Sequence, residues 1–262
     1  VANLGYAGGV FGAPVFPGDT LSARSQVIGL KENSYRKTGV VYVRTVGANA
    51  RGEEVLRYVR WVMVRKRDEA AVPQGESLPN LPGSVPAAEL RALNGLKING
   101  YDREAAGSRH LWEDYAAGER IDHVDGMTIE EAEHQMATRL YQNTARVHFN
   151  QHAEAQGRFG RRLVYGGHVI SLARSLSFNG LANAFRSAAV NGGQHVNPVF
   201  AGDTIYAWTE VLDRFEVPGR KDVGALRLRT VAAKNRACAD FPYKGADGKH
   251  LDLVHRDMSP EN

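Results

Sequence analysis

One cysteine, Cys238, occurs in 262 residues, so no intrachain disulfide can form. A lone thiol suits a reducing compartment, and a cytoplasmic location is expected. Cys238 sits in a polar stretch with no patterned partner and is not read as a nucleophile. No run approaches the ~18 apolar residues of a spanning helix; the most apolar stretch, 167–184, is broken by Arg174, Ser175 and Asn179. Val1-Ala2-Asn3-Leu4 carries neither the basic region nor the apolar run of a signal peptide. It also has no initiator Met, which reads as a fragment or a processed product.

Charge is equally uninformative in one direction. The 33 Lys and Arg against 29 Asp and Glu leave a net +4, and the basic residues are scattered. The densest run, Arg65-Lys66-Arg67, ends an alternating stretch and reads as a solvated strand end, so no nucleic acid is expected as a partner. The nine histidines are dispersed, none paired with a second ligand at helical or CxxC spacing, so no metal is expected.

What the chain does contain is a repeat. Residues 14–27 read PVFPGDTLSARSQV and residues 198–211 read PVFAGDTIYAWTEV, identical at eight of fourteen positions. Gly8-Gly9 aligns with Gly192-Gly193 at the same offset, and Arg44-Thr45-Val46 matches Arg229-Thr230-Val231 after one residue of slippage. The chain therefore holds two copies of one structural unit. The copies are unequal, because residues 111–197 precede the second motif and only 1–13 precede the first. Between them, residues 68–110 contain Pro73, Pro79, Pro82 and Pro86 and read as a linker. The expected division is a partial first copy over 1–67, the linker, a complete second copy over 111–254 and a tail from 255 to 262. With 43% hydrophobic residues, one large core or two small ones can be buried.

Polarity patterns assign strands to Leu21–Ile28, 39–47 and Val55–Lys66, a three-stranded meander with a turn at Asn49 to Gly52. In the second copy, Thr128-Ile129-Glu130-Glu131 reads as a capping box. Ile129, Ala132, Met136 and Leu140 then form the buried face of a helix. Gly166-Gly167 opens a long apolar helix through Ala184, and strands near 186–192, 203–213 and 223–233 follow. One long apolar helix wrapped by an antiparallel sheet is the α+β hot-dog fold.

The segments LWEDYAAGERIDHVDGMTIEEAEHQMATRLYQNTARVHFNQHAEAQ, GRRLVYGGHVISLARSLSFNGLANA and VNPVFAGDTIYAWTEVLD resemble the opening, central helix and closing strands of a MaoC-like hydratase. Residues 111 to about 235 carry this resemblance, and VANLGYAGGVFGAPVFPGDTLSARSQVIGLKENS with TGVVYVRTVG resembles the trailing half of a preceding hot-dog domain. The resemblance implies a double hot-dog with an incomplete first copy, and reversible hydration of a branched, carboxylated enoyl-CoA. CoA would enter as part of the substrate, with no cofactor, and the chain would form a homodimer or larger assembly. The final residues, LDLVHRDMSPEN, do not look like a last strand of that fold.

Hydration needs a base for water at the β-carbon, an acid for the α-carbon and donors for the thioester oxygen. The family pattern places an Asp five residues before a His. Here Asn143-Thr144-Ala145-Arg146-Val147-His148 fills that stretch, so His148 is the expected acid–base group and Asn143 orients water where the family has Asp. Glu154 and Asp125 are alternative carboxylates. For the oxyanion, the resemblance points to the helix start Gly166-Gly167-His168, with the Gly167 N–H expected to donate and its neighbours as substitutes. Arg146, Arg161 and Arg162 are candidates for the CoA phosphates or the substrate carboxylate, and Asp19 and Asp203 are expected to be turn formers. A thioesterase of the same fold and a non-catalytic acyl-CoA-binding half-domain are the competing functions. His255-Arg256-Asp257 with Asn262 matches kinase catalytic-loop spacing, but no Gly-rich loop, strand lysine or DFG accompanies it.

Overall fold

The computed structural model describes residues 2–71, 75–91, 97–244 and 253–257. Pro73 of the linker and Asn262 of the kinase-like spacing lie outside them.

Among the described residues, ten antiparallel strands form one continuous sheet. In the first repeat, β1 (Ala2–Phe11), β2 (Leu21–Glu32), β3 (Thr38–Asn49) and β4 (Glu54–Arg65) lie in the order β2-β3-β4-β1. In the second, β7 (Ala189–His195), β8 (Thr204–Glu216), β9 (Gly224–Lys234) and β10 (Leu253–Asp257) lie in the order β7-β10-β9-β8. The order of one half mirrors the other, and β1 pairs with β7 at the seam, Tyr6 opposite Gly193 and Gly9 opposite Val190. Two short strands, β5 (Arg120–Asp122) and β6 (Met127–Thr128), pair with β8.

The repeat seen in sequence is a repeat in hydrogen bonding. Asp19 Oδ2 accepts the Phe16 N–H at 2.9 Å and Asp203 Oδ2 accepts the Phe200 N–H at 2.9 Å. Each aspartate thus closes the turn that launches β2 or β8, the local role of Asx side chains.

Besides the short β5 and β6, two strands escape the sequence reading. β1 is rich in Gly and Ala and has weak strand propensity, so its pairing with β4 and β7 determines its conformation. The only cue is the Gly8-Gly9 match to Gly192-Gly193 of β7. Leu253–Asp257, read as a domain end running into a tail, is β10, inserted between β7 and β9 as the counterpart of β4. The backbone groups of β7 and β9 facing that slot need partners, and this segment supplies them whatever its composition.

Helices sit against the second half. The first is α1 (Glu131–Leu140), followed by a 3-10 turn at Arg146–His148, then α2 (Gln151–Glu154) and α3 (Gly166–Leu176). α3 buries Val169, Leu172, Ala173 and Leu176 against Ile205 and Ala207 of β8 and Ala232 of β9. Each buried Val, Leu or Ile among them contributes about 1.5–3 kcal/mol.

The expected helix through Ala184 stops eight residues short. Ser177 ends α3, and a short α4 (Phe178–Leu181) contains two residues outside helical geometry, Asn179 at ψ 103° and Gly180 at φ 100°. His123, fully buried, holds the break: its Nδ1 donates to Asn179 O at 2.7 Å, and Asn179 Nδ2 donates to His123 O at 2.9 Å. Apolar periodicity runs through the break, whereas the Asn179-Gly180 pair is the turn signal that marks it.

α1 also differs from expectation. Ile129 is buried, but Met136 and Leu140 are 61% and 70% exposed, and the inward face carries His134 and Thr138 instead. Thr128 does not cap the helix. Its hydroxyl meets Thr204 Oγ1 at 2.7 Å within the β6–β8 pair, and the N-cap position is Glu130, without a side-chain cap bond. The helix docks through polar contacts: Glu131 with Arg162 at 2.8 Å and Glu133 with His168 at 3.1 Å. Periodicity identified a helix but not which face it buries.

Candidate active site

His148 closes the 3-10 turn between α1 and α2 and is fixed from two sides. Its Nδ1 lies 2.9 Å from Leu163 O. A carbonyl only accepts, so Nδ1 carries the proton and Nε2 of the neutral ring keeps its lone pair. From α1, Gln135 Nε2 donates to His148 O at 2.9 Å, which anchors the backbone beneath the ring. Burial pushes the imidazole below its ordinary value, against smaller upward pulls from the Leu163 carbonyl and the Glu154 carboxylate. The group is therefore a neutral imidazole near pH 7, able to take a proton at Nε2 and return it.

Two rings, a phenol and an imidazole, flank this position. Tyr165, the N-cap of α3, stands edge-on to His148 with ring centroids 5.9 Å apart. His195, at the end of β7, packs on the first residue of α3: a Cβ on Gly166 would lie 2.5 Å from His195 Cε1 and 2.6 Å from Nε2. Burial lowers the His195 pKa, and the His148 charge lowers it further, so the two imidazoles share one neighbourhood. A Cβ on Gly167 would meet the Tyr165 ring at 2.5 Å from Cζ and Oη. Both glycines are thus required by close approach of rings, beyond any need for a tight turn.

The start of α3 supplies donors. The first N–H groups of a helix have no intrahelical acceptor. That of His168 bonds Tyr165 O at 2.9 Å, and no bond from Gly166 or Gly167 N–H is recorded among the described residues. The helix dipole adds partial positive charge at the same point.

The remaining expected residues divide. His168 faces α1, with Nε2 on Glu133, and its N–H is taken by Tyr165 O. Arg162 is held by Glu131 at 2.8 Å. Arg161 is exposed and lies 4.0 Å over the Phe200 ring, and Arg146 is exposed, 4.0 Å from Glu154. Asn143 Oδ1 accepts the Ala145 N–H at 2.9 Å, shaping the loop that delivers His148, and the residue borders a depression with Thr138, Arg139, Gln142 and Phe149. Of the two alternative carboxylates, Glu154 acts electrostatically on His148, while Asp125 is exposed and does not. His195 and Tyr165 were missed, because neither falls in a spacing pattern. His195 lies three residues before Pro198 of the repeated motif.

A roomy cavity lies elsewhere. About 740 Å³ opens along the C-terminal half of α3, lined by Ile170, Ala173, Arg174, Trp112, Arg186 and Leu226 among others, with neither His148 nor His195 at its wall.

A family model described as mesaconyl-CoA hydratase matches residues 4–246. A β-methylmalyl-CoA dehydratase of Chloroflexus aurantiacus is 64% identical over 98% of this chain and 73% of its own length. A mesaconyl-CoA hydratase of Cereibacter sphaeroides is 59% identical over 98% of this chain and 74% of its own. Among solved structures, a MaoC domain dehydratase from Chloroflexus aurantiacus superposes with a TM-score of 0.94 at 60% identity, covering all of this chain and 76% of that one. A Mycobacterium tuberculosis protein with a double hot-dog fold gives a TM-score of 0.64 at 25% identity. The fold is the double hot-dog, and the chain belongs to the mesaconyl-CoA hydratase family.

Proposed function

We propose that the chain catalyses the reversible hydration of mesaconyl-CoA to β-methylmalyl-CoA, with His148 as the acid–base group. The observation that carries the mechanism is the Leu163 carbonyl on Nδ1, which leaves Nε2 as the basic nitrogen of a ring packed against Tyr165, the N-cap of α3. In this reading Nε2 takes a proton from water as its oxygen bonds to the β-carbon. The π electrons move toward the thioester oxygen, whose negative charge meets the Gly167 N–H, with Gly166 as its neighbour. The imidazolium then protonates the α-carbon on the same face, giving syn addition and restoring neutral His148. Asn143 supports the loop and keeps its Nδ2 for a water, while Glu154 stabilises the transient imidazolium. The exposed Arg146 and Arg161 are assigned to the CoA phosphates.

Among the described residues no helix is long and apolar enough to cross a membrane. We place the protein in the cytoplasm as a homodimer or larger assembly, supported by the exposed Met136, Leu140 and Tyr141 face of α1. A monomer by light scattering at micromolar concentration would count against the assembly.

The deciding assay follows enoyl-thioester absorbance and free thiol together, with His148→Ala as control. Loss of absorbance without thiol release, abolished in the variant, supports the hydratase. Thiol release moves the protein to the thioesterases, and no change in either signal points to an acyl-CoA-binding role.

A further inference from the structure

The first repeat places side chains on the same sheet face as the catalytic cluster. Directly opposed residues of antiparallel strands point to one side, and alternate residues along a strand do the same. Arg60 of β4 is opposite Tyr6 of β1, and Tyr6 is opposite Gly193 of β7. Two residues on from Gly193 is His195, whose ring rests on the start of α3. Arg60, Tyr6 and His195 therefore share the helix-covered face across the seam. Two strand spacings and two residues of rise separate the Arg60 and His195 Cα atoms by roughly 12 Å, a span that the two side chains and a small acyl group fill.

Contacts agree with the register. Tyr58, two residues before Arg60, packs on Tyr6 with ring centroids 6.2 Å apart. Tyr165, the neighbour of His148, interacts electrostatically with both Tyr58 and Arg60. Arg60 is exposed on this face and has no carboxylate partner among the described residues. The other arginines near the site are engaged or point away: Arg162 holds Glu131, and Arg161 lies on Phe200. An unpaired guanidinium beside tyrosines, on the face that carries the base, is a receptor for a planar anion.

We propose that Arg60 is the acyl-selectivity residue, binding the free carboxylate of the substrate from the first repeat while the second repeat performs the chemistry. This rests on the hydratase reading above for its substrate. In mesaconyl-CoA the free carboxylate is borne by the carbon that water attacks, so a cation across the seam from His148 both selects that group and orients the double bond. Tyr6 and Tyr58 pack on each other on this face, and Arg60 interacts electrostatically with Tyr6.

Arg60→Gln and Arg60→Lys are assayed with mesaconyl-CoA and with 2-methylcrotonyl-CoA, in which methyl replaces the carboxylate. Removing one partner of a charge pair predicts a loss of at least ~30-fold in kcat/KM for mesaconyl-CoA in Arg60→Gln. The uncarboxylated substrate should change by less than about 3-fold, and the lysine variant should recover part of the loss. Equal losses with both substrates, or no loss with mesaconyl-CoA, overturn the assignment. Calorimetric binding of the saturated analogues methylsuccinyl-CoA and 2-methylbutyryl-CoA separates this from the reaction itself. A wild-type preference for methylsuccinyl-CoA that disappears in Arg60→Gln upholds Arg60 even if no hydration is seen, in which case only the hydratase reading fails. Equal affinity of the wild type for the two analogues overturns Arg60 even if hydration is confirmed.

Discussion

The imidazole of His195 occupies the space that a side chain on Gly166 would need. Cε1, Nε2 and Nδ1 lie 2.5, 2.6 and 3.1 Å from the position of a Cβ there. The start of α3 and the end of β7 are thereby held in contact at the point where the Proposed oxyanion donors sit. Gly166→Ala must push the ring, the helix or both. Since Ala favours helix over Gly, the melting temperature should stay within a few degrees while kcat falls about 10²-fold, the scale of a ~1 Å misplacement. Equal kcat in the variant would show that the contact does not position the donors.

The pH dependence of kcat/KM should report His148. Burial sets its pKa below the ordinary 6.5, and the neutral form is the base. Activity toward mesaconyl-CoA is therefore expected to stay above half of its maximum at pH 6.5 and to fall through the half-maximal point only below that. A profile already half-reduced at pH 7 would mean that another group limits the reaction.

Acid should also loosen the fold, through His123 and His134. Both are buried, and burial depresses both pKa values. A depressed folded pKa means that the unfolded chain binds protons first as pH falls. Their stabilisation is thus complete above about pH 6.5 and is lost as pH drops through the folded values. Each proton contributes up to about 1.4 kcal/mol per pH unit. Denaturant midpoints measured from pH 7.5 to 5 should be level at first and then fall; a midpoint that rises on acidification would contradict this.

Cys238 should resist thiol reagents. It is 1% exposed, packed with Trp208, Val231 and Ala233, and burial pushes its thiol up to about 12. Ellman's reagent is expected to titrate no thiol in the native protein and one after denaturation. Rapid native labelling would disprove the burial.

Much of this was legible in sequence because some signals are local and others are not. The GDT turns and the meander of β2 to β4 follow from residues close together in the chain. β1 and β10 were hidden because their conformation comes from strands far away in sequence. The inward face of α1 was misread because ion pairs from Glu131 and Glu133, rather than Met136 and Leu140, dock it. His195, Tyr165 and Arg60 gather only when β1 meets β7, so no spacing rule could group them.

The β1–β7 seam has a consequence during synthesis. β1 begins at Ala2 and β7 at Ala189, so at ~5–20 residues per second roughly ten to forty seconds pass before the partner strand emerges. Through that interval the outer edge of β1 offers unpaired backbone to any strand nearby. On crowded polysomes, the β7 of another nascent chain is a chemically identical partner. The protein should thus be prone to strand-exchanged dimers when many ribosomes load one message, and slower elongation ahead of Ala189 would lengthen the exposure of β1.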